Sequence, residues 1–349
     1  MTNVPAPPHV APQADHGDVR LTTLQRIAHL RAWLFLAALI IGFEVWSRLD
    51  FGGSFIFNPY NIQSIAVFAV VPLIIATGQT FVIISGGIDL SMGFIMGLAA
   101  VVAAHTINWA GTTMSLPFAV LLGLFAAVLV AGIPGLVNGL LISRLRVPPF
   151  IGTLGMFGVA RGVAFLLAGG TTVPVRNEFF SGLGNGKIFN IPYIVLIAGA
   201  FVLVMHYLLS QTRFGQHNYA IGANEQAARR AGIDIRSHIL RLYILSGMCA
   251  GLAGFIYSAR FSAGAAQAGE PLLLDSVAAV VIGGASLFGG SGTILGTVAG
   301  ALVIAVIQYG LVFINVKPFW QFISVGVVII ISVLIDQAQR QYGGGRQSE

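Results

Sequence analysis

Residues 118–142 read Phe-Ala-Val-Leu-Leu-Gly-Leu-Phe-Ala-Ala-Val-Leu-Val-Ala-Gly-Ile-Pro-Gly-Leu-Val-Asn-Gly-Leu-Leu-Ile, twenty-five residues without a charge. About 20 apolar residues in a helix cross the hydrocarbon of a bilayer. Nine further runs have the same character: 32–49, 62–84, 90–108, 150–168, 191–209, 237–259, 272–288, 292–313 and 319–336. The expected fold is therefore an all-α integral membrane protein with about ten transmembrane helices. The run at 272–288 is short and ends in glycines, so a broken or re-entrant segment is expected there. Non-helical backbone at that depth survives only where protein or a water-filled cavity covers it.

Composition supports this reading. The chain of 349 residues is 56% hydrophobic and 9% charged, whereas a soluble domain carries about 25% charged residues. A soluble fold could not hide this apolar surface. Glycine is abundant, at 44 residues, as suits closely packed membrane helices. The net charge of +6 comes from basic residues spread between apolar runs, which argues for topology signals and against nucleic acid. The single cysteine, Cys249, lies in an apolar stretch and reads as a buried hydrophobe.

Placing the N-terminus in the cytoplasm puts Arg20, Arg26, Arg31, Arg144, Arg146, Arg213, Arg229, Arg230, Arg236, Arg241, Arg340 and Arg346 on the inner side. The outer side receives Arg48, Arg176, Lys187, Arg260 and Lys317, while Arg161 falls within a run. Twelve against five follows the positive-inside rule and places both termini inside, as an even number of spans requires. The expected organisation is a disordered cytoplasmic tail at 1–31, one transmembrane domain at 32–336 containing a cytoplasmic loop at 210–236, and a cytoplasmic tail at 337–349. Gly86-Gly87 followed by Gly93 and Gly97 is echoed by Gly289-Gly290 followed by Gly296 and Gly300. Either a parallel internal repeat or small-residue helix packing produces that pattern.

The loop 210–236 contains Asn224-Glu-Gln-Ala-Ala-Arg-Arg-Ala-Gly232. Asn224 can cap a helix, Glu225 suits its positive first turn, Arg229 lies four residues on, and Gly232 can end it. A short helix at about 225–231 is expected, and its small residues Ala227, Ala228 and Ala231 offer a face that could seat in another protein's groove.

Tyr219-Ala-Ile-Gly-Ala-Asn-Glu-Gln-Ala-Ala-Arg-Arg-Ala-Gly-Ile233 resembles the coupling loop of permease subunits of ribose-type ATP-binding-cassette sugar importers. Three further stretches are similar to that family: Gly78 to Gly93, with Gly86-Gly87-Ile-Asp89-Leu-Ser91; Asn138 to Gly155, with Arg144-Leu-Arg146-Val-Pro148-Pro149; and Gly283 to Thr297. The resemblance covers about 60–335 and implies a type II importer-like fold, similar to that of vitamin-B12-type importers, paired as a dimer with a second copy or a close homologue. It also implies two ATPase subunits and a periplasmic sugar-binding protein as partners. The paired Arg229-Arg230 departs from the single basic residue expected. No P-loop of the form G-x-x-x-x-G-K-[ST] is present, so ATP and magnesium are expected on the partner chain and no cofactor or metal on this one.

By that resemblance the contacts to the ATPase are Asn224, Glu225, Ala228, Arg229, Arg230 and Gly232. Gly86, Gly87, Asp89, Gly289 and Gly290 are structural or gating candidates, with Asp89 read first as a cap for the next helix. A sugar pathway needs polar hydrogen-bonding side chains and aromatic faces. Candidates are Gln79, Thr80, Ser91, Asn138, Thr153, Phe157, Ser246, Gln308 and Phe319, all of which could equally serve helix packing. Arg161 has no obvious partner in sequence, and Glu44 is expected to pair with Arg48. The alternative to a permease subunit is an ion-coupled secondary transporter. It would need a midplane carboxylate, for which Glu44 is the one candidate this reading finds. No HExxH, GxSxG or paired intramembrane carboxylates suggest an enzyme.

Overall fold

A computed structural model describes residues 23–317 and 319–344. Its helices are α1 Thr23–Asp50, α2 Pro59–Ile84, α3 Met92–Ala110, α4 Leu116–Ser143, α5 Pro149–Ala168, α6 Glu178–Asn185 and α7 Tyr193–Gln211. There follow α8 Arg213–Ala223, α9 Glu225–Arg230, α10 Ile235–Phe261, α11 Glu270–Ile282, α12 Ile294–Phe313 and α13 Phe319–Gly344. Among the described residues, eight helices (α1 to α5, α7, α10 and α12) are long and apolar enough to cross a membrane. The two remaining runs form α11, of 13 residues, and the apolar part of α13, Phe319–Leu334. Each of the ten apolar runs thus contains a helix, and in two of them its apolar part is shorter than a full crossing.

Two boundaries move. Residues 23–31, expected in the disordered tail, belong to α1. Helix α13 continues through Gly344, into the expected C-terminal tail. Arg20 and the rest of 1–22, and Arg346 with the rest of 345–349, lie outside the described residues. A helical surface lacks the proline or glycine needed to stop it at these points, and polarity alone does not end a helix.

The surface inverts the soluble pattern. Leu49 is 79% exposed, Leu166 82% and Leu129 69%, while Gln79, Asp89, Asn138 and Thr153 are fully buried. An apolar exterior around a polar-stitched interior suits a bundle bathed in lipid.

The short run is not broken within itself: it forms one helix, α11, that ends before Gly283, and the non-helical stretch lies just ahead of it. After α10 the chain turns through Ser262, forms a two-residue ladder of β4 (Ala263–Gly264) with β1 (Val173–Pro174), and passes a 3-10 turn at Ala266–Gly269 before α11 begins. Gly264 abuts Ala100, Ala266 abuts Gly97 and Gly269 abuts Gly93, so this non-helical stretch runs antiparallel along α3. A Cβ on Gly97 would stand 2.2 Å from the Ala266 carbonyl oxygen, and one on Gly93 2.4 Å from that of Gly269. The second glycine pair acts likewise: a Cβ on Gly296 would stand 2.1 Å from Gly283 O, and one on Gly300 1.9 Å from Ala279 O. Gly93 and Gly97 of α3 and Gly296 and Gly300 of α12 thus clasp one continuous segment, 264–283, the first pair along its start and the second along its end. Backbone-to-backbone approach at both sites explains why side chains are absent there.

Residues 31–35 of α1, the end of α11 and residues 328–332 of α13 gather at one end of the bundle, around a small groove bordered by Arg31, Ile282 and Val328. Helices α2 and α11 finish at this end and α12 starts there, with Gly290 N–H donating to the Ile84 carbonyl at 2.8 Å. At the far end, Glu44 pairs with Arg48 at 2.6 Å as expected, and also accepts from the Ser54 hydroxyl at 2.9 Å and from the Phe55 and Ile56 amides at 2.8 and 3.0 Å. Its carboxylate therefore organises the α1–α2 turn. Between α5 and α7 lie α6, whose Gly184 packs on Ala259, and the β2–β3 hairpin (Lys187–Ile188 with Ile191–Pro192).

Candidate functional site

The hydrophilic stretch 210–236 is almost entirely helical: α8, unforeseen in the sequence, precedes the expected short helix α9. Asn224 breaks the pair with an extended backbone at φ −160°, and its Oδ1 accepts from the Ala227 amide at 2.9 Å. Glu225 and Arg229 pair at 2.9 Å, both side chains more than half exposed. Gly232 ends the helix in the left-handed region at φ +83°, where other residues are strained. Asp234 then caps α10 through the Ser237 amide and hydroxyl at 3.1 and 2.6 Å, bonds that hold its carboxyl below the usual range. Every capping feature read from the loop is present.

One assignment changes. Ala228, grouped from sequence with the outward face, is buried at 4% exposure against Ile221 and Ile235. Six residues make under two turns, and the apolar side of such a helix must rest on its own protein. Ala228 therefore anchors α9, while Glu225, Arg229, Arg230 and Ala231 remain exposed.

Helix α8 seats α9 on the bundle. Asn218 Nδ2 donates to the Phe81 carbonyl at 2.9 Å, and the Tyr219 hydroxyl donates to the Gly292 carbonyl at 2.7 Å. A Cβ on Gly222 would stand 1.8 Å from Ile84 O and 2.6 Å from Gly290 N. Gly86 and Gly289 both have positive φ, +82° and +87°, and a Cβ on Gly289 would meet Gly86 N and Gly222 O at 3.0 Å. The two glycine turns and α8 thus converge on one point at the base of α2 and α12. Beside it lies a cleft of about 360 Å³ lined by Gly87, Ser143, Arg146, Glu225, Arg229 and Arg236 among others.

From this junction the chain re-enters the bundle. Asp89 is fully buried, and its Oδ1 accepts from the Ser91 amide and hydroxyl at 3.0 and 2.6 Å. Its Oδ2 accepts from the Ser246 hydroxyl of α10 at 2.7 Å. The cap of α3 is Ser91, so Asp89 forms an Asx turn one step earlier and does not serve as the cap expected of it. Burial pushes its carboxyl up, against the pull of the serine hydroxyls. Asn138 donates to the Ser91 hydroxyl at 2.9 Å, and Tyr243 to the Ile88 carbonyl at 3.2 Å. With its carboxamide oxygen toward the Asp89 N–H, Gln79 meets the Asp89 N–H and carbonyl at 3.3 Å each. Five pathway candidates, Gln79, Ser91, Asn138, Thr153 and Ser246, lie sealed around this turn, Thr153 donating to Pro149 O at 2.8 Å.

The other candidates lie apart. Phe157 packs edge-on against Phe94 at 4.6 Å, and Arg161 has a partner after all: its guanidinium sits 5.3 Å over the Phe94 ring. Thr80 and Thr297 share a hydrogen bond at 2.7 Å between α2 and α12. Phe319 is 71% exposed at the start of α13. Gln308 donates to Asp275 at 2.7 Å, and Asp275 is buried within α11. Glu44 is thus not the one carboxylate within the apolar runs, as the sequence reading had it. A lone Asp in 272–288 was the available signal. Asn218 and Tyr243 carried no such signal, because only packing makes them partners of backbone carbonyls.

Residues 61–333 match the family described as the branched-chain amino acid transport system permease component. Relatives include the ribose import permease protein RbsC of Escherichia coli K12, 36% identical over 89% of this chain and 96% of its own length. The galactose/methyl galactoside import permease protein MglC of Haemophilus influenzae is 35% identical over 80% of this chain and 87% of its own. The fructose import permease protein FrcC of Rhizobium meliloti is 32% identical over 92% and 90%. A multi-pass transport permease is the class that fold and likeness define. The chain belongs to this permease family.

Proposed function

We propose that the chain is the membrane-spanning subunit of an ATP-driven importer of a monosaccharide, a pentose, hexose or related polyol, in a bacterial inner membrane. The observation that carries this is the seating of α8 and α9. A polar helix pair exposes Glu225, Arg229 and Arg230 while its base locks onto both glycine turns. A separate ATPase gripping α9 would push directly on the ends of α2 and α12. Relatives named for ribose, galactose, fructose and allose support the sugar over an amino acid.

In this reading two ATPase subunits bind α9 and its copy on a second permease chain, and a periplasmic binding protein delivers the sugar. Both termini and α8–α9 face the cytoplasm, in keeping with the arginines at that end. ATP and magnesium sit on the ATPase. Asn224, Glu225, Arg229, Arg230 and Gly232 form the docking surface, and Gly86, Gly87, Asp89, Gly289 and Gly290 the hinge beneath it. ATP favours one closed arrangement of its subunits, and differential affinity shifts the permease between inward- and outward-open states.

The test is co-expression with the neighbouring ATPase and sugar uptake into vesicles. Co-purification and ATP-dependent uptake are expected, both reduced by Glu225→Ala with Gly232→Ala. Uptake by this chain alone on a proton or sodium gradient would overturn the reading.

A further inference from the structure

We propose that Asp89 is a positioning residue of the transport stroke, resting on the proposed function above: its bond to Ser246 makes the turn under α8 and the helix α10 move as one body. Three observations lead there.

First, the segment Gly86–Ser91 is one of the links between the exposed helices and the core, beside the direct contacts of α8 with α2 and the chain from α9 into α10. At its start, Gly86 lies against Gly289, which abuts Gly222 of α8. At its end, Ser91 leads into α3. Any displacement of α8 must pass through these residues or bypass them.

Second, the link is clamped at Asp89 rather than spread along the turn. The carboxylate joins Ser91 of its own turn to Ser246 on α10, and Ser91 in turn holds Asn138 on α4. Gln79 of α2 grips the Asp89 backbone, and Tyr243, one turn before Ser246, grips the neighbouring Ile88 carbonyl. Helices α2, α3, α4 and α10 therefore meet around the turn of Ile88, Asp89 and Ser91. Gly135 and Gly247, where α4 and α10 cross, bring the two backbones close enough that a Cβ on either would stand 2.4 Å from the other helix. The contact leaves little play for slippage.

Third, packing alone would not need a carboxylate here. A fully buried carboxyl group with no cationic partner among the described residues is costly to charge, and hydroxyl and amide donors hold it. An apolar residue would fill the same space without that cost. A hydrogen-bonded clamp gives what an apolar contact does not, a directional joint that resists shear between the turn and α10.

The experiment uses the full complex with its ATPase and binding protein in liposomes, measuring assembled complex, ATP hydrolysis and sugar taken up per ATP. The variants are Asp89→Asn, Ser246→Ala and Ser246→Thr. Expected are assembly and hydrolysis near wild type, with uptake per ATP falling about tenfold in Ser246→Ala, as loss of one buried hydrogen bond implies, and recovering in Ser246→Thr. A purely structural Asp89 would lower assembly, hydrolysis and uptake together at constant uptake per ATP, and that outcome overturns the proposal. If Asp89→Asn does not assemble, Ser246→Ala and its threonine rescue decide alone. Should neither serine variant assemble, the residue is structural and the proposal falls. A wild-type complex that hydrolyses ATP without importing any sugar would instead overturn the proposed function, and this inference with it.

Discussion

Gly222 of α8 abuts the carbonyl of Ile84 so closely that a Cβ on the glycine would stand 1.8 Å from that oxygen. The contact joins the exposed helix pair to the last turn of a membrane helix without any intervening side chain. Motion of one backbone is then felt by the other directly.

Gly222→Ala should force α8 off α2, because the obstructing atom is backbone and cannot rotate away. Overpacking of this kind costs about 1–3 kcal/mol. The measurement is limited proteolysis across 210–236 in the purified permease, where faster cleavage than wild type is expected. Unchanged cleavage and unchanged thermal unfolding would show that the junction yields freely.

The clasp on segment 264–283 should be equally intolerant. Gly97→Ala places a methyl 2.2 Å from Ala266 O and should destabilise the permease by about 1–3 kcal/mol. Gly155→Ala, in the middle of α5 with nothing within 4 Å, should be neutral within about 0.5 kcal/mol or slightly stabilising. Thermal unfolding in detergent compares the two. Equal midpoints would sink the claim that close backbone approach explains the glycine pattern.

Helix α9 depends on its ends. Asn224→Ala removes the acceptor for the Ala227 amide and should loosen the helix by about 1 kcal/mol, while Asn224→Asp retains it. Gly232→Ala meets the left-handed backbone and should cost about 1–2 kcal/mol. Hydrogen exchange at residues 227–231 reads both. Equal protection in Asn224→Ala and Asn224→Asp would remove the capping role.

The cap of α10 should respond to acid. The Asp234 carboxyl lies below its ordinary value of 3.8 because Ser237 donates to its charged form. The cap is therefore complete above that ordinary value and is lost as pH falls through the lower folded value. The protection factor of the Ser237 amide, measured relative to intrinsic exchange at each pH, should hold at neutral pH and fall only in this acidic range. In Asp234→Asn, which also caps but does not titrate there, the acid dependence should vanish.

Much of this was legible beforehand. Asn224, Glu225, Arg229 and Gly232 announced α9 because capping and termination are local chemistry. The Glu44–Arg48 pair was legible for the same reason, four residues on one helix face. Helix α8 was not, since its sequence is polar and its stability comes from Asn218, Tyr219 and Gly222 meeting groups far along the chain. Ala228 was misassigned because a six-residue helix shows both faces in sequence, and only Ile221 and Ile235 decide which is covered.

By itself, the sequence determined the membrane class, the ten apolar runs and the caps of the exposed loop. Each follows from hydropathy or from hydrogen bonds spanning a few residues. Tertiary structure decided that the glycine pairs clasp one segment, that Asp89 meets Ser246 and that Asp275 meets Gln308. Those are contacts between positions distant in the chain. Nothing in local propensity encodes which buried polar group will find which partner, because in a low-dielectric interior that choice is made by the packing of whole helices.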